Sequence, residues 1–154
     1  MRQVLIIDDH PGVGQALALL LSLHDIEASV AASPEEGLAL LDQRAYGLVI
    51  QDMNFSADTT SGAEGEQLFR AIRTRRPDLP VILLTAWTRL EAAVALVKAG
   101  AADYLAKPWD DGKLLATVEN LLELGEANRE IAQLRGPAAS GARRWRGATS
   151  WPAW

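Results

Sequence analysis

The sequence predicts a doubly wound α/β domain, a five-stranded parallel sheet with helices on both faces, and three observations predict it. Short apolar runs recur along the chain, segments of helical periodicity separate them, and turn or cap residues mark several of the junctions. Val4-Leu5-Ile6-Ile7 opens the series, followed by Ala28 to Ala31, Leu48-Val49-Ile50 and Val81-Ile82-Leu83-Leu84. Runs this short and apolar read as strands buried on both faces. Between them, residues 12–24, 34–44, 64–75 and 89–99 place apolar side chains at helical spacing, and Ser33-Pro34-Glu35-Glu36 is a helix start signal. Ala102 to Ala106 makes a weaker fifth strand after Gly100, and from about Asp110 the pattern is helical until Gly136-Pro137 stops it. Strand and helix alternate throughout, which is (βα)5 with a parallel sheet.

With 154 residues, 49% hydrophobic and 23% charged, the chain is long enough for one domain with its own core plus a tail. No uncharged apolar run approaches the roughly 18 residues needed to span a bilayer, and the N-terminus enters a strand without a signal-peptide layout. The expectation is a soluble, cytoplasmic protein with no membrane contact. The absence of cysteine excludes disulfides, thiolate metal sites and a Cys nucleophile, so carboxylates, hydroxyls, Lys or the two His must carry any chemistry. The net charge of −5 divides unevenly: residues 136–154 hold three arginines and no acid, which leaves −8 for the rest. An acidic body argues against nucleic-acid contact by the folded part, where a basic stripe would be expected.

In open α/β sheets, sites form outside the carboxyl ends of the strands where strand order reverses. The residues just past the first, third, fourth and fifth strands are Asp8-Asp9, Asp52, Thr85 and Lys107-Pro108. Three clustered carboxylates repel one another unless a cation sits among them. Mg2+ is the expected cofactor, being a hard ion held by one or two carboxylates with water and phosphate oxygens, and Asp9 and Asp52 are the expected direct ligands. Asp52 then has an oxygen free to attack phosphorus, Lys107 neutralises the transferred group, and Thr85 offers it a hydroxyl donor. His10 follows the acid pair and is a candidate to ligate a metal or accept phosphate, but a His at a helix start is usually solvated and the implied metal is hard; His24, near the end of the first helix, reads as a favourable charge or surface residue, and both stay outside this candidate site.

Asp8-Asp9, Asp52, Thr85-Ala86 and Lys107-Pro108, in this order and at these spacings, resemble the response-regulator receiver family over about residues 3–124. The resemblance implies a flavodoxin-like strand order, 2-1-3-4-5, and a two-component signalling switch rather than a turnover enzyme. It implies phosphorylation of Asp52 by a partner histidine kinase. It adds the backbone carbonyl of Asn54 to the metal ligands, has Asp8 act mainly through a bound water, and makes Lys107-Pro108 a cis peptide. It also implies that Thr85 moves toward the phosphoryl group while Tyr104 changes rotamer behind it, which alters the output surface of the fourth helix, fifth strand and fifth helix. Trp87 and Trp109 follow Thr85 and Lys107 by two residues each, and Trp87 is the better candidate for that surface.

The segment Met53 to Gly65 is about five residues longer than the family's usual loop and lacks its usual Pro, as in receivers of nitrogen-regulation-type transcriptional activators. It is expected either to cover the site or to engage the kinase. Residues 1–124 form the expected receiver and 125–135 a helical extension. There Leu124, Ala127, Ile131 and Leu134 begin a coiled-coil spacing that would lead to an effector or a homodimer partner. Residues 136–154, Gly/Ala/Ser-rich with Arg143-Arg144-Trp145-Arg146, read as a flexible tail or severed linker. Two other classes stay open: a phosphohydrolase with a carboxylate nucleophile, disfavoured by Asn54 where such enzymes need an acid, and a purely structural dimerisation module.

Overall fold

The computed structural model describes residues 2–53, 63–86 and 90–128. The elements run β1 (Gln3–Ile7), α1 (Pro11–Ser22), β2 (Glu27–Ala31), α2 (Pro34–Gln43), β3 (Leu48–Asp52), α3 (Ala63–Arg75), β4 (Val81–Thr85), α4 (Leu90–Lys98) and β5 (Asp103–Ala106). A further helix, α5, covers residues 111–128. The strands form one parallel sheet in the order β2-β1-β3-β4-β5, as the sequence predicts. The chain divides into two compact units, Met1–Leu121 and Leu122–Trp154. Among the described residues no helix is long and apolar enough to cross a membrane.

Alternation along the strands sorts the core into two layers. Leu5, Ile7, Val49, Val81 and Leu83 face Leu41 of α2, Leu68, Phe69 and Ile72 of α3, and Ala93 and Leu96 of α4. The intervening residues Val4, Ile6, Ile50, Ile82 and Leu84 are equally buried, on the opposite face. The three central strands are therefore dry on both sides, as their unbroken apolar runs predict. β2 departs from that expectation: only Ala31 is buried and Glu27 is exposed. It is an edge strand with one neighbour, and β5, at the other edge, is buried only at Leu105.

Local signals set the helix boundaries. Ser33 caps α2 by accepting from Glu36 N at 3.1 Å, while Glu36 Oε1 accepts from Ala32 N at 3.1 Å, so free N–H groups on both sides of the cap find acceptors. At the end of α4, Gly100 takes φ +125°, a conformation that favours glycine, and Ala101 N donates back to Leu96 O at 3.0 Å. Arg73 ties this corner to the α3–β4 turn, donating to the carbonyls of Pro77 at 2.7 Å, Leu79 at 2.8 Å and Gly100 at 3.2 Å. Its guanidinium also lies over the Phe69 ring, 5.2 Å from the centroid. Burial lowers the pKa of this guanidinium, and nearby Asp78 opposes the shift.

α3 meets the sheet at very short range just beyond Asp52. A Cβ on Gly65 would stand 2.7 Å from Met53 O and 2.9 Å from Met53 Cα, both backbone atoms that cannot swing away. The buried amide of Gln51 closes the same contact, Nε2 donating to Gly65 O at 2.8 Å. Gly65→Ala gains about 1 kcal/mol of helix propensity but overpacks this junction. The expected net effect is a loss of about 1–3 kcal/mol in urea unfolding with an unchanged m-value. A stabilised variant would mean that α3 slides freely on β3.

Candidate functional site

Neighbouring parallel strands end in one direction, so the sheet delivers its carboxyl-end residues to one edge. β1 ends at Ile7, yet the next amide, Asp8 N, still donates to Ala31 O at 3.0 Å. Asp52 is itself the last residue of β3, paired with Leu84, and Met53 N donates to Leu84 O at 2.8 Å. Thr85 closes β4 opposite Ala106, and Lys107 N donates to Thr85 O at 2.8 Å. Asp52 and Thr85 thus lie one step earlier than the sequence places them, inside the ladder rather than after it. Backbone pairing holds them more firmly than a loop would.

The side chains converge. Lys107 Nζ lies 2.9 Å from Asp52 Oδ1 and 3.5 Å from Asp8 Oδ2. The side chains of both acids are 0% exposed, while that of Lys107 keeps 24%. A buried carboxylate is costly unless it is paired and hydrogen-bonded, and Lys107 supplies the pairing. The Lys107-Pro108 peptide is cis. Asp9 stands at the rim, 18% exposed. Thr85 is buried, its Oγ1 donating to Ala86 O at 3.3 Å. Tyr104 is partly buried, packed on the core layer that includes Leu83, its partner across the strands. Asn54 and Trp87 lie outside the described residues, as does most of the long loop, residues 54–62.

The sequence reading sets two residues apart from this cluster or passes over them. His10 was read as solvated, yet its Nδ1 lies 3.2 Å from Asp8 Oδ1 and 3.1 Å from Asp9 Oδ1. The ring is also 58% exposed, so it is a rim residue turned inward. Gln51 has no overt signal: within an apolar run, only its neighbour Asp52 hints that β3 ends in polar contacts. One ligand atom from each of Asp8, Asp9, His10 and Asp52 falls within 4.8 Å of the others. Opposite ligands around a hard octahedral cation are about 4.2 Å apart. The three carboxylate oxygens of the set are the donor type that suits Mg2+.

Residues 4–119 match the response regulator receiver domain. The chain belongs to that family. This receiver is 37% identical over 139 residues to the response regulator protein FleR of Pseudomonas aeruginosa, covering 90% of the chain and 27% of FleR. Among solved structures, NtrX from Brucella abortus in complex with ADP is 29% identical with a TM-score of 0.76, over 88% of this chain and 29% of that one. A response regulator receiver domain protein from Clostridium thermocellum is 28% identical with a TM-score of 0.74, over 82% of this chain and 98% of that one. The receiver spans between 26% and 29% of the length of the curated relatives it matches, several of them named as NtrX-like or transcriptional regulatory proteins.

Removing the ammonium takes a positive partner from two buried acids. With divalent ions chelated, Lys107→Met is expected to lower stability by about 2 kcal/mol, below the cost of breaking a wholly buried pair because Lys107 is partly solvated. Adding Asp52→Asn to that variant is expected to restore most of the loss. Strict additivity of the two changes in urea unfolding would show that the pair is not coupled.

Proposed function

We propose that this receiver is the phosphoacceptor switch of a two-component response regulator, taking its phosphoryl group on Asp52. The observation that carries the reading is the Lys107 ammonium at 2.9 Å from a wholly buried oxygen of Asp52, with Asp8 and Asp9 alongside. In the transfer, an Asp52 carboxylate oxygen forms the new bond to phosphorus. The bond from phosphorus to the donor breaks, and its electron pair leaves with the donor, a phosphorylated histidine of a partner kinase. Lys107 neutralises a phosphoryl oxygen as charge arrives, and the Thr85 hydroxyl turns from the Ala86 carbonyl to donate to another.

Asp8, Asp9 and Asp52 are the side chains that would hold Mg2+, with the Asn54 carbonyl as a backbone ligand and Asp8 acting mainly through water. The ion supplies charge neutralisation for the acids and the incoming phosphoryl oxygens. Output runs through Thr85 and Tyr104 to the face of α4, β5 and α5, with Trp87 contributing to it. The physical content is a two-state element biased by new charge-assisted hydrogen bonds. The segment after the receiver, 125–135, carries the signal to an effector, which the names of the relatives suggest is transcriptional, or to a second copy; residues 136–154 are a flexible tail or a linker. The phosphate is a stored signal rather than a turned-over product, and the site of action is the cytoplasm.

Intact-protein mass after incubation with a small phosphodonor tests the reading. One phosphoryl group is expected, requiring Mg2+ and lost in Asp52→Asn. No adduct and no phosphate release would leave only a structural role, and continuous release without limit would make the protein a hydrolase.

A further inference from the structure

The proposed transfer leaves His10 without a task, and a histidine is an uncommon residue at its position. It stands at the N-cap of α1, where Ser, Thr, Asp or Asn ordinarily accepts a bond from the first turn of the helix. The His10 side chain makes no capping bond. Its backbone is extended, at φ −95° and ψ 107°, and its N–H donates to Asp8 Oδ1 at 2.8 Å. That fixes the main chain against the first acid and turns the ring back over the end of β1. Nδ1 then lies 3.2 Å from Asp8 Oδ1 and 3.1 Å from Asp9 Oδ1.

The 3.1 Å separation from Asp9, a direct ligand in the proposed site, matches the edge of a coordination octahedron. With metal–ligand bonds of about 2.1 to 2.2 Å, neighbouring ligands sit about 3.0 to 3.1 Å apart. One ligand atom from each of Asp8, Asp9, His10 and Asp52 also lies within 4.8 Å of the others, so the ring sits within reach of a cation held by the acids. We propose that His10 is a nitrogen ligand of the divalent site and shifts its preference from Mg2+ toward first-row transition ions such as Mn2+ and Co2+. The proposal rests on the reading that Asp8, Asp9 and Asp52 hold a divalent cation.

The chemistry gives the selectivity a sign. Mg2+ takes oxygen ligands and dehydrates reluctantly, so a neighbouring imidazole contributes little to its binding. Transition ions bind imidazole nitrogen well, and a ring already aimed at the acids need not be reorganised. The rival role is an N–H donor bridging Asp8 and Asp9 in the metal-free protein. A cation would then have to displace the ring, and removing it would tighten all divalent ions alike.

Titration calorimetry with Mg2+, Mn2+ and Co2+ on the full chain separates these roles, comparing wild type with His10→Ala, His10→Ser and Asp52→Asn. His10→Ser supplies a conventional N-cap, so a loss shared by both His10 variants is not a folding defect. The expected result is a fall of about 10- to 100-fold in the ratio of Co2+ to Mg2+ affinity in both, at least the size seen when a metal ligand's supporting partner is removed. The visible absorption of the Co2+ complex is expected to change as a nitrogen leaves the shell. An unchanged ratio, or affinities that rise together, would overturn the assignment of His10 while leaving the acidic site intact. If wild type binds none of the ions, or Asp52→Asn binds all of them undiminished, the site reading itself fails and His10 falls with it.

Discussion

Two carboxylates sealed from water at the edge of a sheet require a positive charge, and Lys107 supplies it to both Asp52 and Asp8. The rest of the architecture can be read as the means of arranging that meeting. Asp8 and Asp52 are brought side by side because β1 and β3 are neighbours in the strand order. Lys107 comes from the far edge, 55 residues beyond Asp52, and reaches inward from the loop after β5. A sheet of different order would leave the acids buried without their partner, at a cost of several kcal/mol each. The electrostatics of the site and the topology of the sheet are therefore one constraint.

That constraint explains which parts of the molecule were legible in the sequence. The central strands announced themselves because a strand buried on both faces needs an unbroken apolar run, and Val4 to Ile7 or Val81 to Leu84 has no other stable home. β5 gave a weaker signal, and β2 was found but read as dry on both faces, since an edge strand is half solvated and its composition does not say which strand it will flank. Asp8 and Asp52 were legible because each ends an apolar run, Lys107 because Lys-Pro follows the weaker fifth strand, and all three because polar groups at the carboxyl ends of parallel strands have one edge to share. His10 and Gln51 were not. The direction of His10 depends on an extended backbone at a helix start, and the burial of Gln51 depends on α3 crossing at Gly65. Both are tertiary facts that leave the local pattern unchanged.

The two ends of the sheet spend their polar groups differently. At the amino end of β4, Arg73 satisfies carbonyls from the α3–β4 turn and the α4–β5 corner, all within a stretch of fixed backbone. Each of these bonds goes to a neutral carbonyl, so the guanidinium ties backbone segments together. The carboxyl end instead gathers several acids around one ammonium, an arrangement that gains when a cation joins it. The contrast between a cation spent on backbone carbonyls and acids gathered around one ammonium separates the structural corner from the functional edge, independently of any family resemblance.

Lys107 also joins the acid cluster to the frame in a second way. Its ammonium is on Asp52, while its backbone N–H donates to the carbonyl of Thr85 at 2.8 Å. Under the proposed function, a phosphoryl group on Asp52 places new negative charge where the ammonium now rests, and the side chain must follow the phosphoryl oxygens. The same residue is hydrogen-bonded to the end of β4, so its displacement is felt by Thr85 as well as by β5, on which Tyr104 lies. Thr85 is buried and its hydroxyl now spends its proton on the carbonyl of Ala86, a 3.3 Å contact that a charged phosphoryl oxygen outcompetes. The switch then needs no long path: a change of charge at one buried carboxylate acts on two strand ends through a single lysine, and the strand pairing carries it to the face beyond.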